Sequence, residues 1–125
     1  MDFTDKMMKL EEKALLVVEA MEEKKAEDIV VMDLRGLCSV VDVFVICSAQ
    51  TGVQAQAIAD EIEKVFSMQG VSIWRREGYT EANWILLDYG DIVIHIFQSH
   101  ARKVYDLDGL WGDAPRLCIT MREEK

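Results

Sequence analysis

The apolar run Val43–Cys47 leaves few folds open to this chain, because every one of its side chains is hydrophobic. Successive side chains of a strand point to opposite faces of a sheet, so such a run is expected of a strand covered on both faces. The run Ile92–Phe97 has the same character, with His95 as its polar member. The sequence therefore predicts a sheet packed inside a layered domain.

Helices alternate with strands along the sequence. An apolar stripe predicts a helix from about Asp5 to Lys25, and a third, short helix is predicted to begin at Ser99. The second helix has the clearest limits: Thr51 and Gln54 form a capping-box pattern at its start, and Gly70 supplies its stop. The predicted strands are Ile29–Leu34, Val43–Cys47, Val71–Arg76, Trp84–Leu87 and Ile92–Phe97.

This element order, α-β-β-α-β-β-β-α, predicts a single α/β domain with a mixed five-stranded sheet. A chain of 125 residues is long enough for one domain with its own core. The segment Asp88–Asp91 is predicted to form a tight hairpin turn, because Gly90 can take the positive φ that such a turn requires. We assign residues 1–114 to the domain and residues 115–125 to a polar tail.

The charge balance restricts the possible partners. Lys and Arg total 14 and Asp and Glu total 23, which gives a net charge of −9. Phosphates of nucleic acids and anionic membranes repel such a protein, whereas a basic protein attracts it. No apolar run approaches the roughly 20 residues of a membrane span. The first residues also lack the basic region and apolar stretch of a signal peptide, so we expect a cytoplasmic protein.

Candidate catalytic groups are few. The glycines match neither a phosphate-binding loop nor a dinucleotide fingerprint, and no nucleophile elbow occurs. Asp88, Asp91 and His95 could serve a metal-dependent phosphoryl-transfer enzyme, either a minimal nucleotidyltransferase or a phosphohydrolase. A turn separates the two aspartates, however, and Asp is common in turns for local hydrogen-bonding reasons. The sequence therefore favours a protein that is not an enzyme and uses no cofactor or metal, with the nucleotidyltransferase as an alternative.

The fourth predicted strand is apolar on both faces. Trp84, Leu86 and Asp88 alternate onto one face, while Ile85 and Leu87 take the other. Two main helices can cover one face of a five-stranded sheet but hardly both. The face that carries Trp84 is therefore covered either by another protein chain or by the third helix, with Tyr105 and Trp111 beside it. The sequence pattern leaves these two alternatives open.

Three blocks of sequence stand out, namely Asp42–Ser48 with Ile58–Glu61, Arg76–Tyr79 with Trp84–Phe97, and Tyr105–Leu107 with Leu110–Ala114. Together they resemble the ribosomal silencing factor family, which is also called the Iojap family. The blocks lie in the order and spacing of that family, and the resemblance extends over about residues 5 to 114. Gly109 departs from the pattern, because a charged residue that favours a helix is usual there.

The resemblance implies a role in translation and a fold similar to that of nucleotidyltransferases. Members of the family bind the large ribosomal subunit through ribosomal protein L-fourteen and block its association with the small subunit, notably when nutrients are scarce. Relatives in organelles assist assembly of the large subunit, which is an alternative role for this chain. Members are commonly homodimers in isolation. No direct contact with a specific nucleic-acid sequence and no contact with a membrane is implied.

The binding surface of the family falls on the second block. Trp84 and Leu86 are the expected apolar anchors, although Leu86 could also be a plain core residue. Asp88 and Asp91 are expected to pair with Lys or Arg of the partner, or else only to fix the turn, and Tyr89 is expected at the hairpin tip. The expected rim residues are Arg76, Glu77 and Tyr79.

Overall fold

The computed structural model describes residues 9–36 and 41–105, with side chains as far as Arg102. The element order within these ranges is the predicted one. The helices are α1 (Leu10–Glu23), α2 (Gly52–Met68) and α3 (Ser99–Tyr105). The strands are β1 (Glu27–Asp33), β2 (Val43–Ala49), β3 (Arg75–Glu77), β4 (Trp84–Asp88) and β5 (Ile92–Gln98). Trp111 and the predicted tail, residues 115–125, lie outside the described residues.

The five strands form one sheet in the spatial order β1-β2-β5-β4-β3. β2 and β5 are parallel neighbours inside the sheet, and the other three pairings are antiparallel. Interior strands are covered on both faces of the sheet. This explains why Val43–Cys47 and Ile92–Phe97 carry apolar side chains on both faces. The predicted α/β domain with a mixed five-stranded sheet is therefore confirmed.

One face of the sheet is covered by α1 and α2. Both helices turn an apolar stripe toward it, and burial of these side chains supplies most of the core. Fully buried residues of the two helices include Ala14, Val17, Val18, Met21, Ile58, Ile62 and Phe66. Within the described residues, no helix is long and apolar enough to cross a membrane.

The start of α2 also holds the end of α1. The Thr51 hydroxyl accepts a hydrogen bond from the backbone N–H of Gln54 at 3.0 Å, as the capping pattern predicts. The side-chain oxygen of Gln54 accepts from the backbone N–H of Gln50 at 2.7 Å, one residue earlier than in a standard capping box. Its amide nitrogen donates to the backbone carbonyls of Lys24 and Lys25 at 3.1 and 3.0 Å. One side chain thus satisfies unpaired backbone groups of two helix ends.

One predicted element limit is wrong, and another lies outside the described residues. α1 begins at Leu10, after Lys9 in an extended conformation, whereas the predicted start at Asp5 lies outside the described residues. The third strand begins at Arg75, four residues later than predicted. Arg75 is paired with Asp88, which is the last residue of β4, so residues 71–74 extend beyond the end of that strand. Val71 and Ile73 within that segment pack against the core under the helices instead.

The opposite face of the sheet, which we call the outer face, carries a second apolar cluster. Of the described elements, α3 packs on it: Ala101 joins the cluster, and Arg102 donates to the Ser48 hydroxyl at 2.8 Å. The strand pairing brings to this face Val30 and Met32 of β1, Phe44, Ile46 and Ser48 of β2, Val93, His95 and Phe97 of β5, Trp84, Leu86 and Asp88 of β4, and Arg75 and Glu77 of β3.

Candidate docking surface

Trp84 and Leu86 lie side by side on the outer face, as the alternation along β4 predicts. Trp84 is paired across the ladder with Phe97, and Leu86 is paired with His95. Both side chains are half-buried, so each is anchored in the cluster and still presents apolar surface. An indole and an aliphatic side chain in this state are suited to anchoring a protein partner.

His95 fixes the orientation of the Trp84 ring. The indole N–H of Trp84 donates to Nδ1 of His95 at 3.0 Å. The Trp84 ring also lies 5.0 Å, centre to centre, from Phe97, and the edge of Phe44 meets the imidazole at 4.6 Å. An indole nitrogen is always a donor, so Nδ1 must be the unprotonated nitrogen of the imidazole. His95 is thus a buried histidine that is hydrogen-bonded within the outer-face cluster.

The other nitrogen of His95 is buried without a hydrogen-bond partner among the described residues. The side chain is only 4% exposed, and this burial lowers the pKa of the imidazole to about 4. The ring is therefore neutral at pH 7. Because Nδ1 is an acceptor, the proton of the neutral ring is on Nε2, which makes Nε2–H a buried donor.

Asp88 lies on the outer face and also shapes the hairpin turn. Its carboxylate accepts from the backbone N–H of Gly90 at 2.8 Å, and Arg75 approaches its other oxygen at 3.6 Å. Arg75 also pairs with Glu77 at 3.2 Å. The polar margin beside Trp84 and Leu86 therefore consists of Asp88, Arg75 and Glu77, and the sequence reasoning missed Arg75.

Asp91 and Tyr89 lie away from the outer face. Asp91 pairs with Lys13 of α1 at 3.0 Å. Tyr89 is buried in the core under the helices, where its ring meets Phe66 edge to face at 4.5 Å. Burial is the main cause that raises the pKa of the Tyr89 hydroxyl, and the negative charge of the nearby Glu63 carboxylate raises it further. Tyr89 therefore lies in the hairpin turn between β4 and β5, as expected, but its ring completes the core under the helices and faces away from the outer face.

The expected rim residues are divided between the two faces. Glu77 is exposed on the outer face, whereas Arg76 and Tyr79 turn toward α2. Arg76 pairs with Glu63 at 3.1 Å and lies 4.3 Å above the Tyr79 ring. The Tyr79 hydroxyl donates to Asp60 at 3.0 Å. Of the eight expected contact residues, the structure thus brings together Trp84, Leu86, Asp88 and Glu77.

The groups of the alternative enzyme site are not assembled. His95 and Asp88 share the outer face, but Asp91 is paired with Lys13 at the α1 side of the hairpin. In the described part of the chain, no group of three or more His, Cys, Asp or Glu side chains could hold a metal ion. The arrangement is that of a partly exposed apolar surface with a charged margin.

Known proteins resemble this chain over most of its length. The model of the family described as "Ribosomal silencing factor during starvation" matches residues 7–125. The ribosomal silencing factor RsfS of Halalkalibacterium halodurans is 46% identical over 100 residues, which cover 80% of this chain and 86% of that protein. RsfS of Bacillus subtilis is 44% identical over 96 residues, which cover 77% of this chain and 81% of the relative.

A crystal structure of a protein from Chromobacterium violaceum has the same fold. The two structures superpose with a TM-score of 0.82 at 31% sequence identity, over 84% of this chain and 88% of the other. Fold, sequence and family match therefore agree. The chain belongs to the ribosomal silencing factor family.

Proposed function

We propose that this chain represses translation, notably when nutrients are scarce, by binding the large ribosomal subunit. The contact is with ribosomal protein L-fourteen, and the bound chain sterically blocks association with the small subunit. The observation that carries the proposal is the half-buried pair Trp84 and Leu86 on the outer face of a chain whose relatives are named ribosomal silencing factors. The protein acts in the cytoplasm, where ribosomal subunits join.

The charges support a basic protein as the partner. The chain carries a net charge of −9, and Asp88 and Glu77 border the apolar anchors. A basic ribosomal protein is steered toward such a surface, and its Lys or Arg side chains can compete with Arg75 for these two carboxylates. The apolar anchors supply affinity, while the charged margin supplies rate and orientation.

Co-sedimentation with purified ribosomal subunits tests this proposal. The wild-type chain is expected to pellet with isolated large subunits and to be found at much lower occupancy on joined ribosomes. Trp84→Ala is expected to weaken binding by at least about 30-fold, because truncation of a central interface tryptophan commonly costs 2 kcal/mol or more.

Trp74→Ala is the matched control for this experiment. Trp74 is 78% exposed and precedes β3, so the same truncation there removes an exposed indole without altering the outer face. The control is expected to bind like the wild type. Equal binding of the wild type and of Trp84→Ala would contradict the assigned surface, and equal binding to isolated and joined subunits would contradict the block of subunit joining.

We also propose that the free chain is a homodimer that uses the outer face. The apolar cluster extends across four strands and includes the half-buried side chains Val30, Phe44, Trp84 and Leu86. A second copy and a ribosomal partner would then compete for one surface. Sedimentation velocity is expected to show a dimer for the wild type and a monomer for Trp84→Asp. A dimeric Trp84→Asp would place the self-contact elsewhere.

A further inference from the structure

The buried Nε2–H of His95 is an unusual feature of the outer face. A buried donor without an acceptor destabilises the folded state, and such groups are rare in folded proteins. A leucine or phenylalanine at this position would fill the cluster without this cost. The imidazole is instead held in one tautomer by Trp84, with its single proton on the nitrogen that lacks a partner among the described residues.

We propose that the Nε2–H of His95 is a recognition donor for the protein that docks on the outer face. This inference rests on the proposed function and adds to it a specific polar contact. The imidazole lies among side chains that are themselves half-buried, namely Phe44, Leu86 and Trp84. A change of rotamer in these side chains during docking brings the donor into contact with the partner.

The surroundings of His95 select the chemistry of the acceptor. The ring is neutral, and its neighbours within the described residues are apolar or aromatic, so a carboxylate brought here would lose its hydration without gaining a counter-charge. The net charge of −9 also repels an acidic segment. A neutral oxygen fits both conditions, and a main-chain carbonyl is the neutral oxygen that every protein segment offers.

The partner segment therefore has three matching parts. Its apolar side chains pack on Trp84 and Leu86 while one of its main-chain carbonyls accepts from His95 Nε2. A basic side chain of the same segment reaches the margin formed by Asp88 and Glu77. The hydrogen bond adds register to the contact, because an apolar surface alone fixes the position of a partner only loosely.

Two variants of His95 separate the donor from the role of holding Trp84. His95→Gln places an amide N–H at about the reach of Nε2 but has no atom at the position of Nδ1. His95→Asn places an amide oxygen near the position of Nδ1, where it can accept from Trp84, but reaches no further. Binding of each variant to isolated large ribosomal subunits is measured beside the wild type, and thermal unfolding of each variant is recorded.

His95→Gln is expected to bind within about 3-fold of the wild type, and His95→Asn is expected to bind about 5- to 100-fold more weakly, because a buried hydrogen bond of the complex is lost. Binding of His95→Asn that equals or exceeds that of His95→Gln would overturn the inference. If His95→Asn melts below the assay temperature, His95→Phe takes its place, with the same expected loss. Failure of the wild type to bind would contradict the proposed function itself, whereas a wrong order of the variants would contradict only the donor.

Discussion

At the scale of single residues, Gly78 shows how the backbone positions β4, the strand that carries Trp84 and Leu86. Its φ is +80°, and a Cβ added there would lie 2.1 Å from the backbone oxygen of Trp84. At Gly78 the loop before β4 therefore approaches the backbone of Trp84 so closely that a residue with a Cβ atom would clash there. The position of Trp84 on the outer face depends in part on this contact.

Gly78→Ala is expected to lower the free energy of unfolding by about 2–5 kcal/mol, from left-handed strain and overpacking together. Urea denaturation measures the effect. Gly70→Ala is the matched control, because Gly70 has a similar φ of +76° and nothing within 4 Å of an added Cβ. The control should lose only about 1–2 kcal/mol. Equal losses would mean that the close approach to Trp84 contributes nothing.

The buried imidazole of His95 predicts a pH dependence of stability. Its pKa falls from an ordinary value of 6.5 to about 4 in the folded protein. Between these values the unfolded chain binds a proton that the folded chain does not, so the free energy of unfolding rises with pH. The contribution of this shift to the free energy of unfolding is about 3 kcal/mol. It is fully present above about pH 6.5 and is lost as the pH falls toward 4.

Denaturation of the wild type and of His95→Phe between pH 4 and pH 7 checks this prediction. Carboxylates titrate in both proteins, so the difference between the two curves isolates the imidazole. The difference is expected to change with pH in the stated direction, with the wild type relatively more stable at pH 7 than at pH 4. A difference that stays constant over this range would show that the imidazole titrates normally in the folded state.

At the scale of elements, the join between α1 and α2 depends on Gln54. Its amide donates to the carbonyls of Lys24 and Lys25, which directly follow α1, while its oxygen accepts from the backbone N–H of Gln50 before α2. Gln54→Ala is expected to destabilise the fold by about 1–3 kcal/mol, because backbone groups at two helix ends lose their partner. Gln54→Glu retains the acceptor for Gln50 but places a carboxylate oxygen against two carbonyl oxygens, so it is expected to cost at least as much as Gln54→Ala in thermal or urea unfolding. A smaller loss for Gln54→Glu would show that the acceptor contributes more than the two donated hydrogen bonds.

Elements with a single physical cause are predictable from the sequence. β2 and β5 follow from apolar runs, of which that of β5 is interrupted only by His95, and the start of α2 follows from the Thr51 cap. β3 is not predictable in this way, because the apolar residues Val71 and Ile73 that suggested a strand serve the core under the helices. The length of an edge strand depends on where its neighbour ends, which a local pattern does not contain.

The candidate site is predictable to a similar extent. Alternation along β4 correctly places Trp84, Leu86 and Asp88 on one face. The burial of Tyr89 and the pairing of Asp91 with Lys13 depend on the position of α1 and α2 over the sheet. The part of Arg75 in the charged margin becomes evident only from its pairing with Asp88 across two strands.

At the scale of the whole molecule, the net charge of −9 predicts a strong effect of salt on complex formation. The association rate with isolated large subunits is expected to fall by at least about 10-fold as the ionic strength rises from about 0.05 to 0.5 M, because screening removes electrostatic steering. Stopped-flow fluorescence of the protein's tryptophans measures this rate. The dissociation rate is expected to change much less, since apolar anchors hold the complex. A salt-independent association rate would contradict a basic partner.

The parallel pairing of β2 with β5 has a consequence for how the polypeptide reaches its native state. Val43 is paired with Ile92, and β5 enters between two strands that precede it in the chain. The contact order of the sheet is therefore high, and β2 and β4 expose unpaired, apolar edges until β5 has been synthesised. Such a nascent chain completes its sheet late and cooperatively, and aggregation competes with folding mainly during that interval.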